Sequence, residues 1–374
     1  MLDQLRRRRR YLHEIPEIMF DLPKTRAFLL AELASTGALV QETRCGGILA
    51  FFGGAAEEAV AFRADMDALE VTEQTGVSFA SKHPGKMHAC GHDGHMAMLL
   101  GLADYISAHR DALRRNVLLI FQPAEESGGG GGKIVEEGVL EQYGVTEIYA
   151  LHVDPALPMG VVASRPGPFM ARSAEVRVRI QGKAAHVARF REGIDGVHAA
   201  VLLLHRLYAM EAAMPPETPR LLKFGMVSAG TAVNILAAEA RIGGTMRAYD
   251  DNVFDAMRRN LLETGREVQA STGAVVEFAF SEGYPAVVND SKLYERARAA
   301  LADMKFEVLP EPSLLAEDFA FYLKRVPGIM LRVGLGRPNT ELHAANFNFD
   351  ERALVTGLNA LIRLFHQSME GERS

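Results

Sequence analysis

The sequence predicts an α/β fold: a layered α/β domain with a largely parallel sheet, interrupted by a smaller βαββαβ unit. Three observations carry this expectation. Unbroken apolar runs alternate with helical spacing in the first half, the texture switches to strict alternation near Ser173, and the first texture returns after Gly283-Tyr284-Pro285.

Ala59-Val60-Ala61-Phe62 and Val117-Leu118-Leu119-Ile120-Phe121 have no polar face, as expected of strands covered on both sides. Between them, residues 96–106 have the apolar spacing of a helix. Ile148-Tyr149-Ala150-Leu151-His152-Val153 is a further buried strand, with His152 near its C-terminal end. In the second texture Val176, Arg177, Val178, Arg179 and Ile180 alternate, the mark of a strand with one wet face. A helix over about 193–214, closed by Pro215-Pro216, follows; then strands over 220–228 and 237–249, a helix over about 252–271 and a strand over 274–280. That order is a ferredoxin-like unit. The expected division is 1–172 and 284–374 for the larger domain and 173–283 for the insertion. The glycine run 128–132 reads as a flexible loop.

A chain of 374 residues, 48% apolar and 24% charged, is long enough for two or three domains of ordinary soluble character. Its formal net charge of -6 argues against nucleic acid or an anionic membrane as partner. The two cysteines, Cys45 and Cys90, cannot build a disulfide framework, so a cytoplasmic location is expected. The arginine run at 6–10 is followed by Tyr11-Leu12-His13-Glu14-Ile15-Pro16 and not by an apolar stretch, which argues against a signal peptide; the run reads as a solvated helix face. No apolar stretch approaches the ~18 residues of a membrane span.

The densest chemistry lies in His88-Ala89-Cys90-Gly91-His92-Asp93-Gly94-His95, where five potential metal ligands fall in eight residues. Thiolate, imidazole and carboxylate all bind zinc, and the latter two also suit manganese or cobalt. Gln122-Pro123-Ala124-Glu125-Glu126 follows a buried strand, at the place where open α/β sheets put their sites. There, one carboxylate can ligate a metal while the other moves protons for metal-assisted hydrolysis. His152 and His343 sit at plausible strand exits. Arg63-Ala64-Asp65-Met66-Asp67 follows another strand and can supply a carboxylate that orients a ligand.

With Leu12-His13-Glu14-Ile15-Pro16-Glu17, Leu151-His152, Ala316-Glu317-Asp318-Phe319 and Leu342-His343, these motifs span nearly the whole chain. In that order they resemble the metal-dependent amidohydrolases that include hippurate hydrolase, indole-acetyl-amino-acid hydrolases and N-acetyldiaminopimelate deacetylase, within the aminoacylase and carboxypeptidase superfamily. The resemblance implies an α/β/α zinc-peptidase-like catalytic domain with an inserted ferredoxin-like lid that mediates a homodimer. It implies metal ligation by Cys90, His92, Glu126, His152 and His343, with two divalent cations per chain and Cys90 as a plausible bridge. Glu125 would be the general base and acid, and Asp65 the orienting carboxylate in preference to Asp67. On the lid, His186 of Gly182-Lys183-Ala184-Ala185-His186 would contact the substrate or its oxyanion, and Asn234 and Arg247 would hold the substrate. The implied reaction is cleavage of N-acyl amino acids by metal-activated water; the alternatives are a dipeptidase or carboxypeptidase on the same centre, or a non-catalytic metal-binding homologue. The sequence departs from these relatives at Glu70, at Ala184-Ala185, at Val187-Ala188-Arg189-Phe190 and at Leu236-Ala237.

Overall fold

Helix α1 (Leu2–Glu14) buries Leu5, Arg8, Arg9, Leu12 and His13, a spacing that puts two arginines of the run on the same face as two leucines. The expectation of a solvated run is therefore corrected: Arg8 is 2% and Arg9 0% exposed. Carboxylates on neighbouring elements make the burial tolerable. Arg8 donates to Glu32 at 2.7 Å and Asp104 at 2.6 Å, while Arg9 donates to Asp93 at 3.2 Å and lies 3.8 Å above the Phe349 ring. His13 joins the cluster, its Nδ1 2.8 Å from Asp93 and its Nε2 3.3 Å from Glu73. Burial opposes charge on this imidazole, but the hydrogen bonds to Asp93 and Glu73 outweigh it and raise its pKa from 6.5 to about 9. A raised folded-state value gives stability that is complete below about pH 6.5 and lost as pH climbs through 9, worth about 3 kcal/mol. Urea unfolding at pH 6 and pH 9.5 is expected to show that loss in the native chain and not in His13→Gln; equal pH slopes would contradict it.

The computed structural model describes residues 1–337 and 340–370, so 338–339 and 371–374 of the expected segment 284–374 lie outside the described residues. The chain forms two units, 1–169 with 287–311 and 318–374, and 170–286 with 312–317. In the first unit α1 is followed by α2 (Pro23–Leu33), β1 (Leu39–Glu42), β2 (Ile48–Phe52), β3 (Ala59–Asp65), α3 (His92–Ala108), β4 (Asn116–Gln122), α4 (Gly130–Glu136), α5 (Val139–Gln142), β5 (Val145–Asp154), β6 (Val161–Ser164) and β7 (Gly167–Met170). The second unit contains β8 (Arg172–Gln181), α6 (Gly196–Ala213), β9 (Arg220–Ala229), β10 (Glu239–Ala248), α7 (Asp251–Thr272) and β11 (Val275–Phe280). The chain then returns through β12 (Val287–Asn289), α8 (Ser291–Ala300), β13 (Lys305–Val308), α9 (Ala320–Leu323), β14 (Gly328–Gly334) and α10 (Ala353–Met369).

An eight-stranded sheet of order β1-β2-β4-β3-β5-β14-β6-β13 organises the first unit. Its centre, β4-β3-β5-β14, is parallel throughout, and antiparallel pairs enter at β1/β2, β2/β4 and β14/β6. β3 is buried at every position and β4 at all but its first, which is why both read as featureless apolar runs. α3 begins at His92, earlier than apolar spacing alone indicated, because its first turn is buried yet polar.

The glycine run is also corrected. Gly130, Gly131 and Gly132 are the buried first turn of α4, not a flexible loop. A Cβ on Gly130 would lie 1.7 Å from the Pro123 carbonyl oxygen, so only glycine lets this helix abut the exit of β4. Gly130→Ala is expected to cost about 1–3 kcal/mol in urea unfolding. Helix propensity alone predicts the opposite sign, so a stabilised variant would refute this packing.

In the second unit β11-β8-β10-β9 form an antiparallel sheet. Leu203 and Leu207 of α6 and Phe254, Met257 and Leu261 of α7 pack on its inner residues Val176, Val178, Ile180, Ile242 and Met246. Asp195 and Asp250 cap the two helices by accepting amides of their first turns. The other face of the sheet is open, with Met226 74% exposed on the edge strand β9, where Val227, opposite Ile242, is also 57% exposed.

Candidate metal centre

Three adjacent parallel strands bring the site residues together at their C-terminal ends. β3 delivers Asp65 and then Asp67, β4 delivers Glu125 and Glu126 after Pro123-Ala124, and β5 carries His152. α3 contributes His92 from its first turn, entered through Gly91 at φ 84°, where a Cβ would stand 2.6 Å from Val153 Cγ2. His343 arrives on a loop fixed by its own N–H donating to the Ala89 carbonyl at 2.8 Å. Of the non-glycine residues with left-handed backbone among those described, Ala124 (φ 56°) and His343 (φ 67°) both border this cluster, so strain concentrates at the site.

Cys90, His92 and His152 offer ligand atoms within 4.8 Å of one another, as do Cys90, Glu126 and His343, and His92, Glu125 and Glu126. The first two sets share Cys90, which touches His152 Nε2 at 3.3 Å, and the third is joined to them through His92 and Glu126. Glu126 faces His92 Nε2 at 3.7 Å and His343 Nε2 at 3.3 Å. All five expected ligands thus meet in one cluster. The imidazoles are oriented as ligands need to be: His92 Nδ1 donates to the Asp67 carbonyl at 2.8 Å and His152 Nδ1 to the Val153 carbonyl at 2.7 Å, leaving each Nε2 turned inward. Among the described residues, buried His92 Nε2 and Glu126 Oε1 have no hydrogen-bond partner. Orphaned acceptors amid a thiol, imidazoles and carboxylates are the donor set that a divalent cation takes. The residues fit the group.

The electrostatics agree. Burial, together with Glu126, Glu125 and Asp65, pushes the Cys90 thiol well above its ordinary value; a bound cation would reverse this, because coordinated thiols are deprotonated. Burial opposes ionisation of Asp65, yet His92, His95 and Arg63 hold it well below the usual carboxylate range. Burial raises Asp67 despite its contacts with His92 and the Glu125 amide.

The two aspartates hold different groups. Asp65 accepts from His95 Nδ1 at 2.6 Å and from Arg63 at 2.8 Å. The carboxylate of Asp67 accepts the amides of Glu125 at 2.9 Å and Glu126 at 3.1 Å, while its carbonyl braces His92. The contacts to His92, Glu125 and Glu126 thus come from Asp67, and those to His95 and Arg63 from Asp65. Three members of the His88–His95 segment serve elsewhere. Asp93 binds Arg9 and His13; His95 uses both nitrogens, on Asp65 and the Val153 amide; and His88 is buried with neither nitrogen bonded among the described residues.

Sequence reasoning missed the support beneath the site. Buried Arg63 donates to Gln122 at 2.9 Å and Asp318 at 2.8 Å, and Asp318 accepts the Gly131 amide at 2.8 Å. The available signal was an arginine inside an otherwise apolar strand, which cannot be buried without a carboxylate partner.

The second unit brings His186 and Asn234 together: the Val187 amide donates to the Asn234 carbonyl at 3.1 Å, and His186 pairs with Ile235. Arg247 lies near the opposite end of β10, donating to the Leu314 carbonyl at 2.5 Å, and is not part of that pair.

A family profile described as peptidase family M20/M25/M40 matches residues 61–367. The chain is 33% identical over 373 residues to an N-acetyldiaminopimelate deacetylase of Lacticaseibacillus paracasei, covering 96% of this chain and 97% of the relative. It is 34% identical over 351 residues to an N-acetyl-L-cysteine deacetylase of Bacillus subtilis, covering 93% and 84%. Among solved structures, a dinuclear metal-binding M20 peptidase from Bacillus subtilis superposes with a TM-score of 0.87 at 31% identity, over 99% of this chain and 98% of that one. A profile match across most of the chain, relatives aligned nearly end to end and a convergent donor cluster lead to one conclusion: this chain is a member of peptidase family M20/M25/M40.

Proposed function

We propose that this protein is a metal-dependent amidohydrolase that cleaves the amide bond of N-acyl amino acids. The observation that carries the proposal is the division of labour between neighbouring glutamates. Glu126 faces His92 and His343 within the donor cluster, while buried Glu125 stands beside it, its Oε2 4.0 Å from His92 Nε2. Cys90, His92, Glu126, His152 and His343 would hold two divalent cations. When bound, these supply Lewis acidity, polarising the amide carbonyl and lowering the pKa of water.

Glu125 then takes a proton from the attacking water and passes it to the departing amine nitrogen. Asp67 keeps that carboxylate aimed through the two backbone amides. We assign His186 to the developing oxyanion, where one good donor is worth about 3 kcal/mol. Asn234 and Arg247 hold the substrate, the guanidinium of Arg247 being suited to a carboxylate. The thiolate favours zinc, and the imidazole and carboxylate ligands also accept manganese or cobalt. The open face and edge strand of the second unit's sheet, with exposed Met226 and Val227, support a homodimer formed through this lid. Among the described residues no helix is long and apolar enough to cross a membrane. The free thiols of Cys45 and Cys90 suit a cytoplasmic location.

Metal-replete protein assayed on N-acetyl and N-benzoyl amino acids and on free dipeptides is expected to cleave the acylated compounds by preference. Preferential cleavage of the free dipeptides would replace this reading with a dipeptidase, and inertness towards all of them with a non-catalytic homologue.

A further inference from the structure

We infer that Arg9 and His13 of α1 are positioning residues for the metal centre: by tying the segment that carries His92 to the loop that carries His343, they set the affinity for the cation that Cys90, Glu126 and His343 would share. The inference rests on the two-cation reading above. Arg9 and His13 lie one turn apart on the buried face of α1, and both reach Asp93, the residue after ligand His92, at 3.2 and 2.8 Å. Their other ends go to the two flanks of the His343 loop. Arg9 donates to the Asn348 side chain at 2.8 Å and lies 3.8 Å from the Phe349 ring. His13 Nε2 is 3.3 Å from Glu73, and the next residue, Gln74, donates its amide to the Ala345 carbonyl at 2.8 Å. Glu73 is itself held by the Thr75 hydroxyl and the Ser81 amide, so this second tie is stiff.

His343 is the ligand that needs such holding. Cys90, His92 and His152 are buried, and the rings of His92 and His152 are braced through Nδ1 by backbone carbonyls. The His343 side chain is 53% exposed and stands on left-handed backbone at φ 67°. Among the described residues its ring makes one close polar contact, to Glu126 at 3.3 Å. Its place therefore depends on how its loop is moored. Stability alone does not call for an ionic mooring. Burying Arg9, His13 and Asp93 costs desolvation that well-packed apolar side chains of similar volume would avoid, whereas charged hydrogen bonds fix register between elements remote in sequence. Helix α1 supplies its own contrast. Arg8, the preceding residue and also buried, is spent on Glu32 and Asp104 and, among the described residues, touches neither segment.

Metal-free protein titrated with cobalt(II) against a competing chelator, and followed by visible absorption, tests this. The native chain is expected to take up two equivalents. Arg9→Gln, His13→Gln and Asn348→Ala should each weaken the second equivalent by about 10–100-fold and alter its absorption, while the first, held by Cys90, His92 and His152, changes little. Arg8→Gln is the control. It removes comparable buried ion pairs from the same helix and should lower the melting temperature of the metal-free protein about as much as Arg9→Gln, yet bind both equivalents as the native chain does. Asn348→Ala cuts one mooring at a half-buried position and leaves Arg9, His13 and Asp93 paired, so it decides the matter even where Arg9→Gln fails to fold. An unchanged second equivalent in every folded variant of the three, or equal weakening in Arg8→Gln, would overturn the inference and leave the two-cation reading standing. A native chain that binds fewer than two equivalents is a different failure, removing that reading and the inference with it.

Discussion

Replacing Glu125 with Gln is expected to reduce kcat on N-acetyl amino acids by roughly 10²–10⁴-fold while leaving metal content near that of the native chain. The substitution keeps the shape of the side chain and removes only its ability to take and return a proton. Its backbone amide stays bound to the Asp67 carboxylate at 2.9 Å, so the loop has no reason to move. Cys90, His92, Glu126, His152 and His343 are untouched, which is why kcat and metal content should separate. Steady-state kinetics beside elemental analysis read both quantities. A variant with the native rate would remove Glu125 from the mechanism, and one that had lost its metal would make it a ligand instead.

Removing the metal should be still more severe, abolishing hydrolysis and lowering thermal stability together. Chelation leaves His92 Nε2 and Glu126 Oε1 buried without a partner, each an uncompensated polar group. It also leaves Glu125, Glu126 and Asp65 crowded around Cys90 without the charge that offsets them. By linkage, each cation present at a thousand times its dissociation constant contributes about 4 kcal/mol to the folded state, on the order of 5 °C per site in a chain this long. Calorimetry on protein shown to be metal-free, followed by addition of zinc, manganese or cobalt, measures the loss and identifies which ion restores activity. Native kcat in verified metal-free protein would end the proposal.

The features legible in the sequence were those set by local pattern. The unbroken apolar runs of β3 and β4, the alternation of β8 and the order of β8 to β11 with α6 and α7 are local patterns, and each expected bound in the second unit lies within three residues of the observed one. Less legible was anything decided by a distant partner. Arg8 and Arg9 read as solvated because Asp104, Asp93 and Glu32 are remote in sequence, and Gly130 read as flexible because the Pro123 carbonyl that demands it is seen only in three dimensions. The ligand types in 88–95 were plain, but which of them turn inward was not. His95 and Asp93 are spent on Asp65, Val153, Arg9 and His13, contacts that no spacing rule reveals.

The grip of Asp67 on the Glu125 and Glu126 amides bears on how this enzyme can change. Pro123 and Ala124 have no side-chain group able to fix Glu125, so its amide is held by Asp67, two residues beyond the end of β3, the strand next door; the Asp67 backbone carbonyl also steadies His92. The placing of Glu125 and Glu126 is thereby insulated from whatever happens farther along the β4 connection.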